Sequence, residues 1–291
     1  MKPAPFELAR PATLAEAARR LREGDGMARA MAGGQSLVPM LNLRLAPVDC
    51  IVDLGRIAEL REVRAEAGSV TFGACVTHAA IEDGLAHDPT GGLMRRIAGG
   101  IAYRAVRNRG TLGGSLALSD PSAEWVSLMM ALDATIGIAG VDGEREVPAR
   151  EFTLGAYTTA LAEDEILATV RVPVLGPDAR HGSFKMCRKT GEFAQSLAMA
   201  VSDPGLHYAR VVVGATEGAP VVMERAAEAM RRAGGQAWSA AAEEVSGHLA
   251  LAAGDQESAR RHFRRAADAY GRIGQPLDQA RCVRNGSGTT A

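Results

Sequence analysis

Two short stretches combine paired glycines with hydroxyl side chains: Gly33-Gly34-Gln35-Ser36 and Thr111-Leu112-Gly113-Gly114-Ser115. Each follows an apolar segment and precedes a helical pattern within a few residues. Glycine lets a backbone approach a ligand closely. Successive N–H groups at a helix start add partial positive charge. Such loops suit a pyrophosphate, with Ser36, Thr111 and Ser115 as hydroxyl partners. Neither loop is G-x-G-x-x-G or G-x4-G-K-[ST], which weakens the readings as a dinucleotide fingerprint or a nucleotide-hydrolase loop. Taken alone, each glycine pair reads first as a tight turn.

Lysine is the second signal. Lys2, Lys185 and Lys189 are the three lysines among 33 basic residues. A chain so biased towards arginine can keep a lysine where a compact ammonium is wanted; the plainer reading is a strand-edge lysine. Glu124, one turn into a helical pattern, reads as a first-turn acid that suits the helix dipole, or as an acceptor for ribose or adenine. Nucleophilic catalysis finds little support. There is no G-x-S-x-G, and His78 and His181 stand far in sequence from any credible Ser or Cys. Cys50, Cys75, Cys187 and Cys282 form no C-x2-C or C-x4-C pair, and no H-x3-H or H-E-x-x-H is present. The chain should therefore hold no iron–sulfur cluster or zinc of its own, and its cysteines read as reduced thiols.

Elements must position these groups. Thr13 caps a helical pattern over 13–22 with Leu14, Ala17, Ala18 and Leu21 on one face. A buried strand over 28–32 enters the first loop. A helix over 37–45 follows, with Ser36 as its N-cap and Leu37, Leu41 and Leu45 on one face. Strands are expected over 50–54 and 69–73, a capped helix over 77–84, and a mostly helical stretch over 91–102. In that stretch Gly99-Gly100 would admit another backbone. Asp120-Pro121 reads as N-cap and first helical position of a helix running to about Leu132. Asp142-Gly143, flanked by expected strands over 134–139 and 145–147, signals a hairpin. A strand over 165–172 follows, then a boundary at 176–182. Beyond it lie strands over 184–188 and 209–214 and helices over most of 224–270. The fold class expected is α+β.

Length and charge bound the rest. The 291 residues suffice for about two domains at roughly 150 each. A formal charge of −1 argues against nucleic acid or an anionic membrane as partner. No apolar run approaches the ~20 residues of a membrane span, and no secretory h-region is legible at the start. The expected location is cytoplasmic.

Read together, these residues resemble a known family. One signature is Ala32-Gly-Gly-Gln-Ser-Leu37 continuing into Asn42-Leu-Arg-Leu-Ala46. The second is Arg107-Asn-Arg-Gly-Thr-Leu-Gly-Gly-Ser-Leu-Ala117 followed by Asp120-Pro-Ser-Ala-Glu124. Tyr157–Ala162, Asp164–Leu167 and Phe184-Lys185 are weaker marks. The chain resembles, over about residues 1–235, the FAD-binding medium subunit of molybdenum hydroxylases, the carbon monoxide and xanthine dehydrogenase group. The resemblance implies an α+β, PCMH-type FAD-binding domain over 1–175, with subdomains at about 1–55 and 56–175. A smaller C-terminal α+β domain would span 178–284, with a disordered tail over 285–291.

The resemblance also implies roles. Ala32, Gly33, Gly34, Gln35, Ser36 and Leu37 would clamp the FAD pyrophosphate with Thr111, Leu112, Gly113, Gly114 and Ser115. Glu124 would stand near the adenosine half and Leu167 would pack on the adenine end. Ile101 would lie near the flavin ring, and Lys185 would reach towards the isoalloxazine. No catalytic or metal-binding residue is implied for this chain. A large partner with the molybdenum cofactor would oxidise substrate, and a small partner with two [2Fe–2S] clusters would relay electrons to this FAD. FAD would then reduce an external acceptor, in a dimer of heterotrimers. The alternatives are a stand-alone flavin reductase of the same fold and a flavin-free interaction protein that kept it.

The chain departs from the family pattern in places. Ser115 replaces a commoner Asn, Ala105 a commoner Gln, and Glu124 is often Asp. Residues 240–284 lack the usual closing helix pattern. There Ala259, Phe263 and Ala266 share a helix face with Tyr270 one turn on, faintly like one tetratricopeptide unit. Gly274-Gln275-Pro276 then breaks the chain. A single copy cannot form a solenoid. The resemblance therefore carries no expectation for the contacts of this end with partner subunits. The substrate is read by another subunit, and the loop variants lean only weakly towards a heterocycle or an aldehyde.

Overall fold

The computed structural model describes residues 2–224, 240, 243–244, 246–247, 250–251, 254–272 and 276–287. It divides into two compact units. The first holds Met1–Pro177, Gly182–Ala200 and Val211–Val222; the second holds Asp178–His181, Val201–Arg210 and Met223–Ala291. The chain thus leaves the first unit after Pro177 and returns to it twice.

The first unit opens with β1 (Glu7–Ala9), β2 (Ala28–Met31) and β3 (Cys50–Asp53) in the order β1-β3-β2. Both pairings are parallel, so a crossover must join each successive strand. Helix Leu14–Glu23 makes the first crossover. Its N-cap Thr13 hydroxyl accepts from Glu16 N–H at 3.2 Å, and it buries Ala17, Ala18 and Leu21. Helix Leu37–Asn42 makes the second and ends three residues earlier than the pattern suggests. Arg44 takes φ 58°, which no right-handed helix continues through, and Leu45 is exposed rather than on the buried face. Pro39 sits in the first turn, where its missing N–H leaves no gap.

The second sheet is antiparallel throughout. Its strands are β4 (Val63–Glu66), β5 (Ser69–Gly73), β6 (Thr135–Gly140) and β7 (Gly143–Pro148). After the small ribbon β8 (Thr153–Gly155) and β9 (Thr158–Thr159) comes β10 (Ile166–Pro173). The order is β4-β5-β10-β6-β7. The hairpin at Asp142-Gly143 forms, with Gly143 at φ 127°. Alternate residues Val70, Phe72, Ile136, Ile138, Val170 and Val172 are buried, as period-2 strands with one core face require. Helix Glu124–Ala131 is buried at every residue. Pairing of β10 with β6 slips between Leu167 and Thr169, a bulge that re-aims the strand.

Several local expectations need correction. The helix expected from Asp120-Pro121 begins at Glu124. The Asp120 side chain accepts instead from Ser122 N–H at 2.9 Å, and its carbonyl from Ala123 N–H, forming a turn. Among the described residues no backbone lies where a Cβ of Gly99 or Gly100 in helix Leu93–Gly100 would point: at Gly99 it would meet the Glu82 side chain at 3.6 Å, and at Gly100 nothing within 4 Å. A strand over Ser196–Asp203 adds to those expected from the sequence.

That strand is part of a further sheet: β11 (Arg180–Met186), β12 (Ser196–Asp203), β13 (Tyr208–Gly214) and β14 (Val221–Val222), in that order. In the second unit, helix Gln256–Arg272 buries Ala259, Phe263, Ala266, Ala267, Ala269 and Tyr270. Helix Pro276–Ser287 adds buried Cys282 to that cluster. Arg281 grips the Glu244 carboxylate at 2.6 and 2.8 Å, with the Tyr270 hydroxyl donating at 2.9 Å. The last helix continues through Asn285 to Ser287, so the disordered tail expected from 285 onwards does not begin there. Residues 288–291 and the chain break at Gly274-Gln275 lie outside the described residues.

Candidate functional site

The two glycine loops meet. The first leaves the carboxyl end of parallel strand β2, where such sheets place ligands. A Cβ on Gly33 would overlap the Arg109 carbonyl and lie 2.9 Å from Gly110 Cα. A Cβ on Gly114 would lie 3.5 Å from Ala32 Cβ. Glycine is therefore needed at 33, where the loops touch, whereas at 114 the tight neighbour is Thr111 Oγ1 of the same loop, at 2.8 Å. Gly34 has a second reason: its φ is 71°.

The loops are not equivalent. In the second, the N–H groups of Leu112, Gly113, Gly114 and Ser115 are all spent. They donate to Val76 O, Ala74 O, Thr111 Oγ1 and Thr111 O, at 3.0 to 3.1 Å. In the first, no N–H from Gly33 to Leu37 has a partner among the described residues. Ser36 occupies the N-cap position of the next helix, yet its hydroxyl makes no capping bond. Unpaired backbone donors seek an acceptor. The two loops expected to clamp a pyrophosphate thus differ, and the first is the one with free backbone donors. Facing it is a loop that offers surface and the Ser115 hydroxyl.

A cleft of about 550 Å³ runs past both loops. That lies in the range of ~300–1,000 Å³ usual for cofactor sites. Residues 32–37, Ile101, Thr111, Gly113–Ser115, Glu124, Leu167 and Lys185 line it. Leu112 does not; it is 0% exposed and belongs to the core. The bulge in β10 presents Leu167. The carbonyl of the adjacent Ala168 accepts from Ala74 N–H, and Ala74 O accepts from Gly113 N–H. A short backbone chain thus ties the bulge to the second loop.

Glu124 and Lys185 do not stand apart. Lys185 Nζ donates to Glu124 Oε1 at 2.6 Å, with Glu124 6% exposed. One extended FAD cannot place its adenosine at one member of this pair and its isoalloxazine at the other. The assignment of Glu124 to the adenosine half and Lys185 to the ring therefore fails as a pair of assignments. Both side chains belong to the same stretch of the cleft wall. The segment after Lys185 returns to Ile101's side: a Cβ on Gly191 would lie 2.8 Å from Ala102 O, and Phe193 lines the cleft with Ile101.

Sequence reasoning gave His78 no place here, yet it lines the cleft. Trp125 Nε1 donates to His78 Nδ1 at 3.0 Å, inside the core. Burial, helped by the Arg107 charge, pushes the His78 pKa down to about 4. Arg107 in turn grips the Glu82 carboxylate at 2.7 and 2.9 Å, holding that carboxyl below its ordinary range. The available signal was modest: Thr77 as an N-cap just before His78, and Trp125 directly after Glu124.

The donor set fits FAD: free N–H groups for a pyrophosphate, apolar walls for the rings, and a lysine for a polar ring edge. Among the described residues no group of three or more His, Cys, Asp or Glu could hold a metal ion. No described helix is long and apolar enough to cross a membrane.

The comparisons with known proteins agree. Residues 4–175 match the family model described as the FAD binding domain in molybdopterin dehydrogenase. The carbon monoxide dehydrogenase medium chain of Hydrogenophaga pseudoflava is 34% identical, over 77% of this chain and 79% of that one. The caffeine dehydrogenase subunit beta of Pseudomonas sp. (strain CBB1) is 33% identical, over 73% and 74%. Among solved structures, quinoline 2-oxidoreductase from Pseudomonas putida 86 gives a TM-score of 0.73 at 30% identity, covering 99% of both chains. The fold is thus the PCMH-type one, and the chain belongs to the FAD-binding-domain family of molybdopterin dehydrogenases, as an FAD-carrying medium subunit of an oxidoreductase.

Proposed function

We propose that this chain is the electron-transfer subunit of a molybdenum hydroxylase. It would hold FAD between the cluster-bearing small subunit and an external acceptor. The observation that carries the reading is the run of free N–H donors from Gly33 to Leu37, set in a cleft walled by the second glycine loop. Those donors would bind the pyrophosphate, with the Ser115 hydroxyl opposite. Ile101, Phe193 and the Glu124–Lys185 pair would hold the isoalloxazine end, and Leu167 the adenine end. Glu124 thereby moves to the ring end with its lysine. FAD supplies a centre that works in both one- and two-electron steps.

The cleft residues bind and orient; none is assigned a proton-transfer role. The chain's lack of cluster-type cysteine spacing agrees with clusters held elsewhere. The partners would be a large molybdenum-cofactor subunit and a small [2Fe–2S] subunit, assembled as a dimer of heterotrimers. The test is co-expression with the genes of such subunits. Purification through a tag on this chain should yield iron, molybdenum and flavin in a fixed ratio. Substrate of the large subunit should then bleach the flavin, while the isolated chain should not respond. Reduction of the isolated chain by NADPH with turnover of a small substrate would instead support a stand-alone reductase.

A further inference from the structure

His78 is 5% exposed and lines the cleft where the two loops meet. Its ring edge abuts Gly110: a Cβ there would lie 2.9 Å from both Cδ2 and Nε2. Gly110 is the same residue that the first loop's Gly33 crowds. The imidazole, Gly110 and Gly33 therefore form one small junction, and two absent side chains keep it open.

The hydrogen bonding fixes which nitrogen carries the proton. An indole N–H can only donate. His78 Nδ1, 3.0 Å from Trp125 Nε1, must therefore accept. A neutral imidazole then has its one proton on Nε2. His78 Nε2 has no partner among the described residues. His78 Nε2 is not among the sealed buried atoms left unpaired, of which Ser127 Oγ is one, so on a side chain that lines the cleft this N–H is open to an acceptor there.

We infer that His78 is an FAD-binding residue: its Nε2–H donates to an oxygen of the cofactor's pyrophosphate at the loop junction, and Trp125 is the positioning residue that locks the donating tautomer. This rests on the reading of the cleft as the FAD site. The neutral ring adds direction without adding charge. The donor also stands apart from the first loop's backbone, so the second loop's lack of free N–H groups is partly made good by a side chain behind it. Gly110 is glycine for the same reason: any side chain there would displace the imidazole.

The test is FAD titration of the full-length apo chain with His78→Leu and His78→Gln, alongside nitrogen-15 NMR of the histidine rings. Gln places an amide N–H near the position of Nε2, whereas Leu has no donor. The His78→Leu chain should bind FAD at least about tenfold more weakly, the scale of one hydrogen bond to a charged acceptor. The His78→Gln chain should stay within about threefold of the parent. Circular dichroism must show both variants folded. In the unsubstituted chain the His78 ring should show a bare Nδ1 and a protonated Nε2, and the Nε2–H signal should move downfield on adding FAD. Trp125→Phe should mix the tautomers. Equal FAD affinity in His78→Leu, a proton on Nδ1, or an Nε2–H signal indifferent to FAD would each overturn the inference. An unsubstituted chain that binds no FAD would instead overturn the reading of the cleft, and this inference with it.

Discussion

Replacing Lys185 with Met keeps most of the side-chain stem and removes the ammonium. Glu124 is then left 6% exposed with no counter-charge. At 2.6 Å the pair attracts by about 6 kcal/mol at an effective dielectric of ~20, before the cost of desolvation is subtracted. Removing one partner of a buried pair typically costs about 3–5 kcal/mol. The Lys185 side chain keeps 19% exposure, so water can reach the site, and the lower end, about 3 kcal/mol, is expected. Glu124→Gln in the same chain removes the stranded charge. The double variant should recover to within about 1 kcal/mol of the parent, giving a coupling of about 2 kcal/mol or more. The assay is urea unfolding followed by Trp125 fluorescence in a Trp238→Phe background, so that the first unit is read by itself. Additive losses, or a Lys185→Met cost under about 1 kcal/mol, would refute the buried-pair reasoning.

Gly33→Ala should weaken FAD binding and also destabilise the apo chain, because its Cβ overlaps the Arg109 carbonyl; loss of affinity with unchanged apo melting would contradict the loop contact. Ser115→Leu should weaken FAD binding while leaving apo stability within about 0.5 kcal/mol, since Ser115 faces the cleft; an equilibrium titration and a thermal melt check both. The His78 pKa lies near 4 in the folded chain, below an ordinary value of about 6.5. The folded state thus binds fewer protons, so its stability is full above about pH 6.5 and falls as pH drops towards 4. The loss is about 3 kcal/mol, and His78→Gln should flatten that limb of the stability–pH curve. Glu82, held low by Arg107, acts at more acid pH. Its stabilisation is present above the ordinary carboxylate value and is lost as pH falls through the lowered one. Arg107→Met should shrink that loss, leaving the smaller part due to Arg104, as acid unfolding monitored by circular dichroism would show.

Much of the fold was legible because its signals are local. Thr13 and Thr77 cap the helices they were expected to cap. Asp142-Gly143 turns a hairpin, and strand Ser69–Gly73 falls on its apolar alternation. The errors came where tertiary contacts decide. Asp120-Pro121 looks like a helix start, yet the Asp side chain closes a turn first. Leu45 continues a helical stripe that a left-handed Arg44 has already ended. The glycine loops were legible as loops. Their inequality was not, because the fate of each N–H depends on Val76 and Ala74, distant in sequence. The Glu124–Lys185 pair joins a helix to strand β11, and no spacing rule predicts it. His78 was invisible as a cleft residue because its partner, Trp125, lies on another element.

The most direct test of the central claim is the flavin content of the purified chain after incubation with FAD and removal of the excess. One FAD per chain is the predicted result, with none retained by Gly33→Val. A folded parent chain that retains no FAD, under conditions where its circular dichroism and melting are intact, would contradict the account.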